Sequence, residues 1–164
     1  MEQFGNLILD GDHKTPFIEL NLMTGNLIFS GKSVPENAAK VYEPALKWVM
    51  EYVNKALPTT NLRFDLEYFN TSSILWLTKI LRALSRIEEP DHVLMIYLYV
   101  PEEEFDEISE FDDINDILFP VTDILRGAVP NIAIKLYGKD GKGEVTRYTL
   151  ILFEQEQLLN LKLA

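Results

Sequence analysis

Residues 62–77 read LRFDLEYFNTSSILWL. In the first half, Leu62, Phe64, Leu66 and Tyr68 alternate with Arg63, Asp65 and Glu67, a period of two that predicts a strand with one buried and one wetter face. In the second half, Ile74 and Leu77 begin a spacing that continues through Leu81 and Leu84, which predicts a helix ending near Ile87. Between them stand Asn70, Thr71, Ser72 and Ser73, residue types that favour helix starts because their side-chain oxygens accept from unpaired backbone N–H groups. A strand passing directly into a helix is the repeating unit of an α/β fold.

The flanking sequence extends that unit. Upstream, residues 15–21 and 26–30 read as two short strands joined by a turn whose Gly25 supplies positive φ. Ser33 and Glu36 have capping-box spacing, with Ser33 as the expected N-cap of a helix carrying Ala38, Val41, Ala45, Trp48 and Tyr52 to about Leu57. Pro44 inside that helix predicts a kink or break near Tyr42. Downstream, HVLMIYLYV at 92–100 reads as a central strand buried on both sides. Residues 101–116 carry nine acidic side chains and no basic one, yet Phe105, Ile108, Phe111 and Ile114 recur every three residues, so part of the segment is expected to be helical. Residues 131–138 and 144–153 suggest a second hairpin turning through Lys139, Asp140, Gly141 and Lys142.

The expected fold is therefore α/β in one domain, residues 1–164. It has a mixed sheet with an N-terminal hairpin, parallel central strands, helices packed on the sheet and an extra C-terminal hairpin within residues 121–164. With parallel strands and right-handed crossovers, the segments 33–37, 70–73 and 101–105 fall at one carboxyl edge of the sheet, where ligands and partners dock.

Composition narrows the function. A net charge of −11 argues against nucleic acid and against an anionic membrane surface, since both require a basic footprint. With no cysteine, disulfides, thiolate metal sites and thiol catalysis are excluded. The first residues lack the basic start and apolar core of a signal peptide, and the longest apolar run, 93–100, is far too short to span a bilayer, so a cytoplasmic location is expected. The acidic segment lacks calcium-loop spacing and reads as a solvated face, so no metal is expected. His13 and His92 are isolated, Asp65 lies inside its strand rather than at its end, and no catalytic set emerges. Asn70-Thr71-Ser72 also matches a glycosylation sequon, which is a coincidence without a secretory signal. Spacing alone leaves Thr71 open between two roles: an ordinary helix-start residue, or a phosphorylation site whose phosphate the helix dipole would favour. Trp76 shares a helix face with Ser72 and Lys79 and reads either as a partner contact or as a core-edge residue.

Thr15-Pro16, GKSVPEN at 31–37, Tyr42 with Pro44 and Trp48, and LEYFNTSS at 66–73 together resemble the SiaC-type bacterial regulatory phosphoproteins. The acidic segment after the expected fourth strand is similar as well, and the likeness covers about residues 14–120. It implies a fold like the anti-sigma-factor-antagonist (STAS-like) domains and a non-enzymatic, cofactor-free role in partner switching. Thr71 falls on the family's phosphoacceptor threonine, with Asn70, Ser72 and Ser73 forming its loop. The resemblance implies a serine/threonine kinase of anti-sigma-factor type, a PP2C-type phosphatase, and a diguanylate cyclase (GGDEF) effector activated by the unphosphorylated form. That would raise cyclic di-GMP and favour aggregation or biofilm formation. Ser33, Pro35, Glu36, Asn37 and Trp76 are the further expected partner contacts. The alternative is an enzyme or small-ligand protein using a carboxyl-edge pocket lined by Asn37, Asn70 and acidic groups. A third reading is a structural subunit that oligomerises through the C-terminal hairpin.

Overall fold

A computed structural model describes residues 4–108 and 120–153. The strands are β1 (Leu7–Leu9), β2 (Phe17–Leu20), β3 (Asn26–Ser33), β4 (Thr59–Phe69), β5 (Val93–Pro101), β6 (Asn131–Lys139) and β7 (Val145–Phe153). The helices are α1 (Ala38–Tyr52), continued by a short 3-10 turn at Val53–Lys55, then α2 (Thr71–Leu84), α3 (Glu102–Glu107) and α4 (Val121–Leu125). One seven-stranded sheet takes the strands in chain order. β3 to β6 run parallel, flanked by the antiparallel β1–β2–β3 and β6–β7 pairs. The expected mixed sheet is thus present, with the C-terminal hairpin as part of it. β1 and α4 have too few residues to show a periodicity and were not expected from the sequence.

The register explains the two-sided chemistry of the sheet. One row across all seven strands reads Leu7, Leu20, Leu27, Leu62, Ile96, Ile134, Ile151. This aliphatic face packs on Tyr42, Ala45 and Val49 of α1, on Leu77, Ile80, Leu81 and Leu84 of α2, and on Val121 and Leu125 of α4 to form the core. Each fully buried Leu or Ile there contributes about 1.5–3 kcal/mol of apolar burial. The neighbouring row reads Ile8, Glu19, Ile28, Arg63, Tyr97, Lys135, Leu150. No helix among the described residues covers that side.

Three expectations change here. β5 alternates buried and half-buried residues, so it is buried on one side only: its aliphatic residues face the helices while Tyr97 and Tyr99 face outward. α1 continues unbroken through Pro44, which is exposed, so the Lys40 carbonyl that loses its N–H partner faces water. Ser33 is not a helix cap; β3 runs on to include it, and Asn37 caps α1 through Lys40 N–H at 3.3 Å. Gly25 does turn the β2–β3 hairpin at φ 73°, and a Cβ there would lie 2.7 Å from the Thr59 carbonyl oxygen. Of the acidic segment, residues 102–107 are helical, whereas residues 109–119, with Phe111 and Ile114, lie outside the described residues.

Candidate functional site

β3 and β4 are parallel neighbours, so their carboxyl ends emerge side by side, and the chain leaves them as the segments 33–37 and 70–73. The two segments are hydrogen-bonded to each other. Asn70 N–H donates to the Ser33 carbonyl at 3.0 Å. Asn70 Nδ2 reaches the Pro35 carbonyl at 3.5 Å. Ser73 Oγ lies 2.8 Å from the Ser33 carbonyl, 2.7 Å from Ser33 Oγ and 2.8 Å from Asn70 Oδ1. Ser33 Oγ in turn meets the hydroxyl of Tyr42 on α1.

Ser33, Tyr42 and Ser73 are all 0% exposed, so this is a polar knot inside the core and every hydroxyl in it needs a partner. Proton accounting gives it a direction. Asn70 Oδ1 and the Ser33 carbonyl can only accept, so Ser73 Oγ donates to that pair. Ser33 Oγ then donates to Ser73, and Tyr42 donates to Ser33. Burial pushes the Tyr42 phenol up from its ordinary value, with the hydrogen bonds to Ser33 and Ser73 pulling the other way.

Asn70 is the N-cap of α2, its Oδ1 accepting from Ser73 N–H at 3.0 Å and from Ser72 Oγ at 3.0 Å. The Ile74 N–H bonds the Asn70 carbonyl at 3.1 Å. This leaves the N–H groups of Thr71 and Ser72 at the positive end of a fourteen-residue helix with no acceptor among the described residues. Thr71 is exposed, and its hydroxyl bonds to no described residue. The three hydroxyls of the segment therefore differ: Ser73 is buried in the knot, Ser72 donates to Asn70, and Thr71 is unengaged.

The other sequence-derived candidates divide. Ser33 and Pro35, expected as partner contacts, are buried in the isolated chain. Glu36 and Asn37 are exposed. Glu36 pairs with Lys14 at 2.9 Å, and this hydrogen bond holds its carboxyl below the ordinary range. Trp76 is half-buried against the core, with Lys79 Nζ 4.5 Å above its ring. The segment starting at Glu102 follows β5 at the same end of the sheet, as expected, because β4 and β5 are parallel. There, burial first, then Glu107 and Glu103, push the Glu104 carboxyl up.

Two exposed residues beside Thr71 were not singled out from sequence: Tyr68 at 64% and Leu75 at 55%. Leu75 lies one turn on from Thr71 on the same helix face. Its signal was available, since it falls off the Ile74, Leu77, Leu81, Leu84 stripe. Tyr42 was missed as part of the knot, although Ser33 continues the inward parity of Leu27 and Phe29. The cavity of about 550 Å³ at this end of the sheet is lined by Asp65, Tyr68, Tyr99, Glu103 and Lys139 among others, and not by Asn37 or Asn70. No helix among the described residues is long and apolar enough to cross a membrane.

Comparison with known proteins bears on this geometry. The profile of the SiaC family regulatory phosphoproteins matches residues 9–122. A protein of Pseudomonas aeruginosa (strain UCBPP-PA14) is 30% identical over 84 residues, covering 51% of this chain and 67% of that one. The crystal structure of apo-SiaC from Pseudomonas aeruginosa superposes with a TM-score of 0.58 at 26% identity, over 71% of this chain and 95% of that one. SiaC in complex with the diguanylate cyclase SiaD, which it activates, superposes with a TM-score of 0.59 at 25% identity, over 80% of this chain and 99% of that one. β6 and β7 lie beyond the family match.

Proposed function

Given that the chain belongs to the SiaC family of regulatory phosphoproteins, we propose that it is a partner-switching regulator controlled by phosphorylation of Thr71. The unphosphorylated form binds and activates a diguanylate cyclase, raising cyclic di-GMP. A serine/threonine kinase of anti-sigma-factor type and a PP2C-type phosphatase set the phosphorylation state. The observation that carries this reading is the division of labour at the α2 start. Asn70 performs the capping, and Thr71 is exposed, with its hydroxyl and the two N–H groups at the helix start meeting no partner among the described residues.

The physical consequences follow from that position. A phosphate on Thr71 adds about −1.5 to −2 charges at the positive end of a helix, where it is tolerated without unfolding the helix. The same charge sits one turn from exposed Leu75, and like-charge juxtaposition or desolvation at a docked surface costs several kcal/mol. Phosphorylation therefore weakens effector binding rather than folding. The segment 33–37 acts from beneath: Ser33 and Tyr42 hold Asn70 and Ser73, and through them the orientation of Thr71.

The test is phosphorylation by the cognate kinase with mass-spectrometric mapping. The modification is expected on Thr71 and absent from Thr71→Ala. Modification confined to Ser72, Ser73 or a site outside residues 70–73 defeats the proposal.

A further inference from the structure

The sheet face opposite the helices is chemically unlike the rest of this acidic protein. Four parallel strands normally have helices on both faces, and here one layer is missing among the described residues. The exposed side is not apolar. Tyr97, Tyr99, Tyr137 and Tyr148 form a ridge across β5, β6 and β7 centred on Tyr137, whose ring stacks on those of Tyr97, Tyr99 and Tyr148 at centroid separations of 6.5 Å, 4.8 Å and 6.3 Å. Arg63 lies against it, its guanidinium 5.2 Å from the Tyr97 ring centre and 5.9 Å from that of Tyr99. Lys135 Nζ is 6.0 Å from Tyr97 on the other side. Lys139 is neutralised by Asp65 at 2.6 Å, whereas Arg63 and Lys135 have no carboxylate within salt-bridge distance among the described residues. Arg63 Nε is also buried without a hydrogen-bond acceptor.

A half-buried arginine and a neighbouring lysine without a carboxylate partner among the described residues, in a chain of net charge −11, mark a place where a partner's carboxylate would complete the electrostatics. The composition is that of protein interface centres, in which Tyr and Arg are enriched. The local cavity at Asn26, Ile28, Asn61, Arg63 and Tyr97 is about 150 Å³, below the roughly 300 Å³ of ordinary small-molecule sites. Arg63 and Lys135 are two strands apart, a span of about 10 Å, which is the diameter of one α-helix.

We infer that this face docks an acidic amphipathic helix supplied by a protein partner, with carboxylates on Arg63 and Lys135 and apolar residues on the tyrosine ridge, restoring the missing helical layer. This surface lies on the opposite side of the sheet from α2 and so is separate from the Thr71 switch.

The test uses a capped, fluorescein-labelled helical peptide with a leucine stripe flanked by glutamates, and an otherwise identical peptide with glutamine at those positions. Anisotropy is read at an ionic strength of about 0.01 M, where the Debye length is about 30 Å. The glutamate peptide is expected to bind at least tenfold tighter, and the Arg63→Gln/Lys135→Gln double variant to lose that preference. Tyr148→Glu, at a position 69% exposed on the edge strand and therefore harmless to folding, is expected to weaken binding severalfold. Thr71→Ala is expected to bind as the unmodified protein does, which separates this surface from the phosphorylation switch. Equal affinity for the two peptides, or a preference that survives in the Arg63→Gln/Lys135→Gln double variant, overturns the inference. Displacement of the peptide by an equimolar single-stranded oligothymidylate also overturns it and assigns the face to nucleic acid instead.

Discussion

α1 and α2 begin in the same way and for different purposes. Both follow parallel strands at one edge of the sheet, and both are capped by asparagine. Asn37 makes one long bond, 3.3 Å to Lys40 N–H, and is exposed. Asn70 accepts from Ser72 and Ser73, donates to the 33–35 backbone, and stands at the end of a buried hydroxyl chain from Tyr42. The first is a cap that only starts a helix. The second is a cap built into the core, which fixes the position of the residue next to it. That residue is Thr71, and the contrast gives the modification proposed there a defined geometry to act on.

Substitutions can separate the two starts, and their effects on stability differ in chemical denaturation. Tyr42→Ala, which removes a fully buried ring as well as the end of the hydroxyl chain, is expected to cost about 3–5 kcal/mol. Asn70→Ala is expected to cost about 2 kcal/mol, at the upper end of the range for N-caps, and Asn37→Ala about 0.5 kcal/mol. Equal costs at the two asparagines would remove the distinction. Tyr42→Phe keeps the packing and loses one buried hydrogen bond, worth about 1 kcal/mol.

The phenol also gives a pH signature. Burial raises its pKa in the folded state, so above pH 10 the unfolded chain releases this proton while the folded chain retains it. Stability should fall as pH rises above 10, less steeply in Tyr42→Phe than in the parent. The smallest effect concerns the third segment at this edge. The raised Glu104 carboxyl favours the folded state below its ordinary pKa of 4.5, and that contribution is lost as pH rises. Glu104→Gln should therefore gain a few tenths of a kcal/mol at pH 7, about the size of a like-charge pair on a helix, and nothing near pH 4.

Much of this architecture was legible in the sequence because the period was strong. Leu62 to Tyr68, the 131–153 hairpin and the 74–84 stripe fell where alternation and helical spacing put them. The errors have physical causes. HVLMIYLYV looks uniformly apolar unless tyrosine is separated from the aliphatics; once separated, it alternates and shows one covered and one open face. Ser33 with Glu36 satisfied a capping rule, but the inward parity of β3 took the serine into the core, and Asn37 became the cap. The NTSS segment was legible as a helix start. What spacing could not supply was the assignment of a separate partner to each hydroxyl, which depends on Ser33 and Tyr42 arriving from elsewhere in the chain.

The central claim is that charge at Thr71 breaks a partner contact without disturbing the fold beneath it. Isothermal titration of the cognate diguanylate cyclase with Thr71→Ala and Thr71→Glu tests it most directly. Thr71→Ala is expected to bind like the unphosphorylated protein. Thr71→Glu is expected to bind at least tenfold more weakly, a loss of about 1.4 kcal/mol or more, with unchanged folding stability. Equal affinity of the two variants would contradict the account.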